Sequence, residues 1–104
     1  MPVFAVTYRY TDTPEQAEKR AEVRPTHREY LRGLADQGLL LASGPYAAGE
    51  APGALLLYRA AAKDDVRAAV DKDPFSTEGL VAESAIVEWV PGTGPHAGAL
   101  AGES

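Results

Sequence analysis

The chain has 104 residues, room for one hydrophobic core and one site, and its 45% apolar and 24% charged residues are those of a folded domain rather than a disordered one. Fifteen acidic against ten basic side chains give a net charge of −5, which opposes binding to a phosphate backbone or an anionic membrane surface. Zero cysteines exclude a disulfide framework, a thiolate metal site and a cysteine nucleophile.

Residues 3–10 alternate, with Phe4, Val6, Tyr8 and Tyr10 on one side, and predict a first strand. Nothing between Met1 and Arg9 resembles a basic start followed by an apolar stretch, and no run of about 18 apolar residues follows anywhere, so the expected setting is cytoplasmic with no membrane and no nucleic-acid partner. Thr13 can cap a helix that Pro14 opens, with Gln16 placed for a capping box. Pro25 removes a helical hydrogen bond, so the sequence predicts a break there and a second segment from Pro25 through Gln37, closed by Gly38.

Leu39–Ser43 and Ala54–Tyr58 read as two strands, apolar on both faces and joined through the turn signals from Gly44-Pro45 to Gly53 as a hairpin. Ala62, Val66, Ala69 and Val70 fall at helical spacing between Ala61 and Lys72, with Asp64 and Asp65 in the first turn, where the helix dipole favours them. A turn at Asp73-Pro74-Phe75 leads to a last strand over residues 81–90, and the Gly/Pro/Ala-rich stretch 91–104 is expected to form a flexible tail. Strand, helix, strand, strand, helix, strand is the order of an α+β, ferredoxin-like antiparallel sheet with both helices on one face. The leucine triplets leave the other face apolar, which soluble monomers tolerate poorly, so a homodimer through the sheets is expected; the alternative is that the tail or a loop covers that face.

Two histidines are present. His96 lies among Gly94, Pro95, Ala97 and Gly98 and reads as a solvated side chain. His27, two residues past Pro25, would sit in the first turn of a helix, where the positive end of the dipole favours a neutral ring that accepts a proton. Arg24, His27, Arg28 and Leu31 share one helical stripe, so a base and two cations can converge on a small anion such as a carboxylate. The plainer reading is local packing of His27, with the arginines paired to Glu22 and Glu29. Asp73 before Pro74 is an ordinary cap or turn residue; its functional reading requires contact with His27, where it would hold the ring tautomer. Ser43 lacks the glycine elbow of a serine nucleophile and is read as a substrate contact or a structural hydroxyl. One histidine with one carboxylate is too thin a set for a metal, and none is expected.

Arg24-Pro25-Thr26-His27, Ser43-Gly44-Pro45 and Asp73-Pro74-Phe75 with Gly79 stand in the order found in the YCII-related proteins, and the chain resembles that family over residues 3–90. The resemblance implies a ferredoxin-like fold assembled as a dimeric α/β barrel, similar in fold to muconolactone isomerases, with a cleft whose catalytic histidine and aspartate map onto His27 and Asp73. It also implies acid-base elimination or isomerisation of a small unsaturated acid without a cofactor, with Arg24, Arg28, Ser43, Gly44, Pro45 and Phe75 as the expected substrate contacts. The alternatives are a binding or accessory module that recognises a small molecule without changing it, and a domain that only dimerises.

Overall fold

Burial alternates along the first strand: Phe4, Val6, Tyr8 and Tyr10 are buried, while Thr7 and Arg9 on the opposite side are exposed. The computed structural model describes residues 1–102, which run β1 (Val3–Tyr10), α1 (Pro14–Asp36), β2 (Leu40–Pro45), β3 (Gly53–Arg59), α2 (Lys63–Lys72), α3 (Pro74–Thr77), β4 (Val81–Trp89) and α4 (Ala97–Ala101). The strands form one antiparallel sheet in the order β2-β3-β1-β4, with helices packed on one face, the expected ferredoxin-like α+β architecture. Its core joins the alternate residues of β1 and β3 (Leu56, Tyr58) to Leu31 and Leu34 of α1, Val66 and Val70 of α2, and Phe75.

One expectation about the helices fails. Pro25 does not divide α1, which is continuous over 23 residues. Thr13 Oγ1 accepts a hydrogen bond from the Gln16 N–H (3.3 Å) at its start. Pro25 and Ala21 both lie on the exposed side of the helix, where water can replace the bond that the Ala21 carbonyl loses to the proline. The ~3 kcal/mol an interior proline costs is offset by the buried face that Arg20, Leu31 and Leu34 present. His27 is therefore a mid-helix residue and does not sit in the field of a helix N-terminus.

The β2–β3 hairpin sets the side of the sheet that matters. Register runs Leu40↔Tyr58, then Ala42↔Leu57 and Ser43↔Leu56, so Leu41 is an extra residue, a bulge. Directly opposed residues share a face, so Ser43 and Pro45 join Leu56 and Ala54 on the helix side. Gly53 is required where it stands, because a Cβ there would run into the Tyr8 carbonyl oxygen and the Tyr46 ring.

The opposite face carries Leu57, Ala5 and Val87 in one row and Leu55, Thr7 and Ala85 in the next. Leu55 is 42% exposed and Val87 55%. The tail differs from expectation: residues 97–101 form the helical turn α4, whose carbonyls at Ala99 and Leu100 accept hydrogen bonds from the Arg59 guanidinium (2.9 and 2.8 Å). Val3, cross-strand from both Arg59 and Trp89, is buried at that corner although it lies outside the main core. Arg59 thus supplies the anchor that a reading of composition lacked, and the tail covers a corner of the open face rather than all of it. The expected tail ran to residue 104; its last two residues lie outside the described residues.

Candidate functional site

Asp73 ends α2 and caps α3, and that double duty brings its carboxylate inside. Its Oδ1 accepts the backbone N–H of Phe75 (3.0 Å), the usual task of an Asp before a short helix. The same oxygen lies 2.7 Å from His27 Nδ1, and Oδ2 accepts the Tyr8 hydroxyl at 2.8 Å. Asp73 is 0% exposed, and three donors from α1, β1 and α3 compensate its burial. The contact between His27 and Asp73, left open by sequence spacing, is present.

An ionised carboxylate only accepts hydrogen bonds, so the neutral ring of His27 carries its proton on Nδ1 and leaves Nε2 as the nitrogen with a free lone pair. The ring plane is held as well. His27 stacks on Phe75 with centroids 3.9 Å apart and 3° between planes, and Phe75 meets the Tyr10 ring edge-on at 5.7 Å and 88°. Arg20, buried and donating to the Thr11 carbonyl (2.9 Å), lies over the Tyr10 ring at 4.9 Å. A chain of cation–π, edge-to-face and stacking contacts therefore runs from Arg20 to the imidazole.

His27 lines a cavity of about 370 Å³ between α1 and the β2–β3 hairpin. Its apolar walls include Leu31, Leu40, Leu56 and Phe75, and its polar residues are Tyr10, Arg24, Arg28, Arg32 and Ser43. Of the residues expected from sequence, His27, Arg24, Arg28, Ser43, Gly44, Pro45 and Phe75 all line it, while Asp73 stands behind the imidazole. Arg24 and Arg28 have no carboxylate partner among the described residues, so the pairing with Glu22 and Glu29 is not seen; Glu29 instead meets Arg32 at 3.5 Å, both side chains exposed. Sequence reasoning missed Tyr8, Tyr10, Arg20 and Arg32. For Tyr8 a signal existed: a tyrosine on the buried side of a central strand needs a partner for its hydroxyl. Among the described residues no group of three or more His, Cys, Asp or Glu is placed to hold a metal.

Burial, and next to it the charge of Asp73, raises the Tyr8 and Tyr58 hydroxyls well above their ordinary 10.0 and pushes Tyr10 up to about 12. These groups hold their protons more tightly folded than unfolded. Their contribution to stability is thus complete below pH 10 and lost as pH rises, through about 12 for Tyr10. We expect the urea midpoint to be flat up to pH 10 and to fall steeply between pH 10 and pH 12, at ~1.4 kcal/mol for each unit a tyrosine is raised. Loss of the Tyr8, Tyr10 or Tyr58 hydroxyl proton in the folded protein at pH 10, read residue by residue from ring NMR shifts, would contradict this.

Known proteins resemble the chain in both sequence and fold. It is 34% identical over 76 residues, 64% of this chain and 78% of the relative, to the derivative of benzaldehyde biosynthesis cluster protein C of Emericella nidulans. Among solved structures it matches 5-chloro-2-hydroxyhydroquinone dehydrochlorinase from Burkholderia phenoliruptrix, in complex with 2,5-dihydroxybenzoquinone, with a TM-score of 0.73 and 26% identity over 86% of this chain and 95% of that one. A NIPSNAP domain protein from Burkholderia xenovorans (TM-score 0.55, 17% identity, 89% and 96% covered) shares the fold. Residues 3–90 match the YCII-related domain, and the chain belongs to that family.

Proposed function

We propose that the protein is a cofactor-independent lyase or isomerase in which His27 Nε2 removes a proton from a carbon next to a carbonyl or carboxylate of a small unsaturated metabolite. The observation that carries this reading is the 2.7 Å contact between a histidine that lines a cavity and a fully buried, fully hydrogen-bonded aspartate. As the C–H bond breaks, the proton passes to Nε2 and the imidazolium is balanced by Asp73; the electron pair forms a double bond. In an elimination a leaving group departs from the neighbouring carbon, and in an isomerisation the proton returns elsewhere. Arg24 and Arg28 hold the anionic end of the substrate, and the aromatic walls favour a planar ring. The similar dehydrochlorinase, with its quinone ligand, supports elimination on a hydroxylated ring as the first chemistry to try.

The test is chloride release from chlorinated hydroxyhydroquinones, together with deuterium uptake from D2O into unsaturated acids, in wild type and His27→Gln. Turnover by wild type that His27→Gln abolishes supports the reading. Turnover that the variant retains defeats it, and saturable binding without product would make the protein a binding module.

The partner belongs to the same proposal: a second copy of the chain packs against the open sheet face. The exposed apolar rows around Leu55 and Val87 support it, since an uncovered patch of this kind is unusual for a monomer. Sedimentation should give a dimer for wild type and a monomer for Leu55→Asp/Val87→Asp; a wild-type mass of one chain would rule it out.

A further inference from the structure

The geometry points to a second, distal anion subsite at Arg28 and Arg32, so that the ligand is an aromatic or similarly planar ring with a carboxylate on a side chain rather than directly on the ring. This rests on the functional reading above only for where the ring lies. Four of the ten basic residues of a chain with net charge −5 stand at consecutive four-residue steps on α1: Arg20, Arg24, Arg28 and Arg32. Each step advances about 6 Å along the helix and turns about 40° around it. The row therefore spirals outward, and burial follows: Arg20 is buried, Arg24 half-buried, Arg28 and Arg32 exposed, the last three all lining the cavity.

His27 and Phe75 mark where the ring sits, and Arg32 lies roughly 7–8 Å further along the helix axis. Volume agrees with an extended ligand. A cavity of about 150 Å³ accommodates benzene, and this one, at about 370 Å³, has room for as much again. Nothing strong competes for the distal cations: Arg28 has no acidic partner among the described residues, and the Arg32–Glu29 pair is long and solvent-exposed.

The test is binding rather than turnover, read by calorimetry and NMR shift changes with benzoate, phenylacetate, phenylpropionate and phenylbutyrate at millimolar concentration, and with the corresponding primary amides. Affinity is expected to rise roughly tenfold from benzoate to the longer acids, as a charge-assisted contact to the distal arginines forms. The amides should show no such rise, and Arg32→Gln should flatten it while leaving benzoate little changed; Arg28→Gln should flatten it and weaken benzoate as well, because Arg28 also holds the anionic end in the functional reading. His27→Gln should keep the length preference, so failure of the proton-abstraction reading leaves this result intact. The proposal is overturned by no saturable binding of any acid, by affinity that does not rise with length, or by an Arg32→Gln protein that keeps the rise, and each of these can occur in an enzyme that still uses His27.

Discussion

His27→Gln is expected to lose ~10²–10⁴-fold in turnover, the usual worth of a positioned general base, while remaining folded. The side chain contributes one of three donors to Asp73, and the glutamine amide can donate in its place. His27→Ala sharpens the test, because it opens a slot between Phe75 and Asp73 that free imidazole can enter. Partial recovery of turnover with added imidazole, absent in His27→Gln where the slot is filled, would identify the missing group as a base. A loss of activity that tracks a lower melting temperature would mean that His27 only packs.

Asp73 separates structure from chemistry through the choice of replacement. Asp73→Ala leaves the Tyr8 hydroxyl, the Phe75 N–H and the His27 ring without a buried acceptor and removes the cap of α3, at a cost on the order of 3 kcal/mol. Asp73→Asn is different. Its amide oxygen can still accept from Phe75 and His27, and its NH2 can donate to Tyr8, whose hydroxyl turns from donor to acceptor. Urea unfolding should show Asp73→Asn close to wild type and Asp73→Ala far below it, whereas turnover should fall in both, since neither balances an imidazolium. Full activity in Asp73→Asn would reduce the carboxylate to a cap.

The sheet and its helices were legible because their signals are local: alternation in β1, leucine triplets in β2 and β3, Thr13-Pro14 and Asp64-Asp65 at helix starts. The stripe holding Arg24, His27, Arg28 and Leu31 was legible for the same reason, and all four residues line the cavity. What depends on tertiary context was not. Pro25 reads as a break because its local cost is certain, while the exposure of Ala21 and the packing that offset it are properties of the folded helix. The Asp73 contact spans 46 residues to His27 and 65 to Tyr8, separations to which no spacing rule applies. Alternation shows that the Tyr8 hydroxyl needs a buried partner but not which one, and α4 is set in place by an arginine 40 residues upstream.

Those separations have a kinetic side. The carboxylate joins the first strand, the middle of the long helix and the turn after the second helix, so no contiguous fragment shorter than most of the domain can assemble it. Contacts of such long range form late, after loop closure between distant segments has been completed. Recovery of turnover during refolding should therefore lag the return of helical circular dichroism, and specific activity counts only the molecules that have reached the native state.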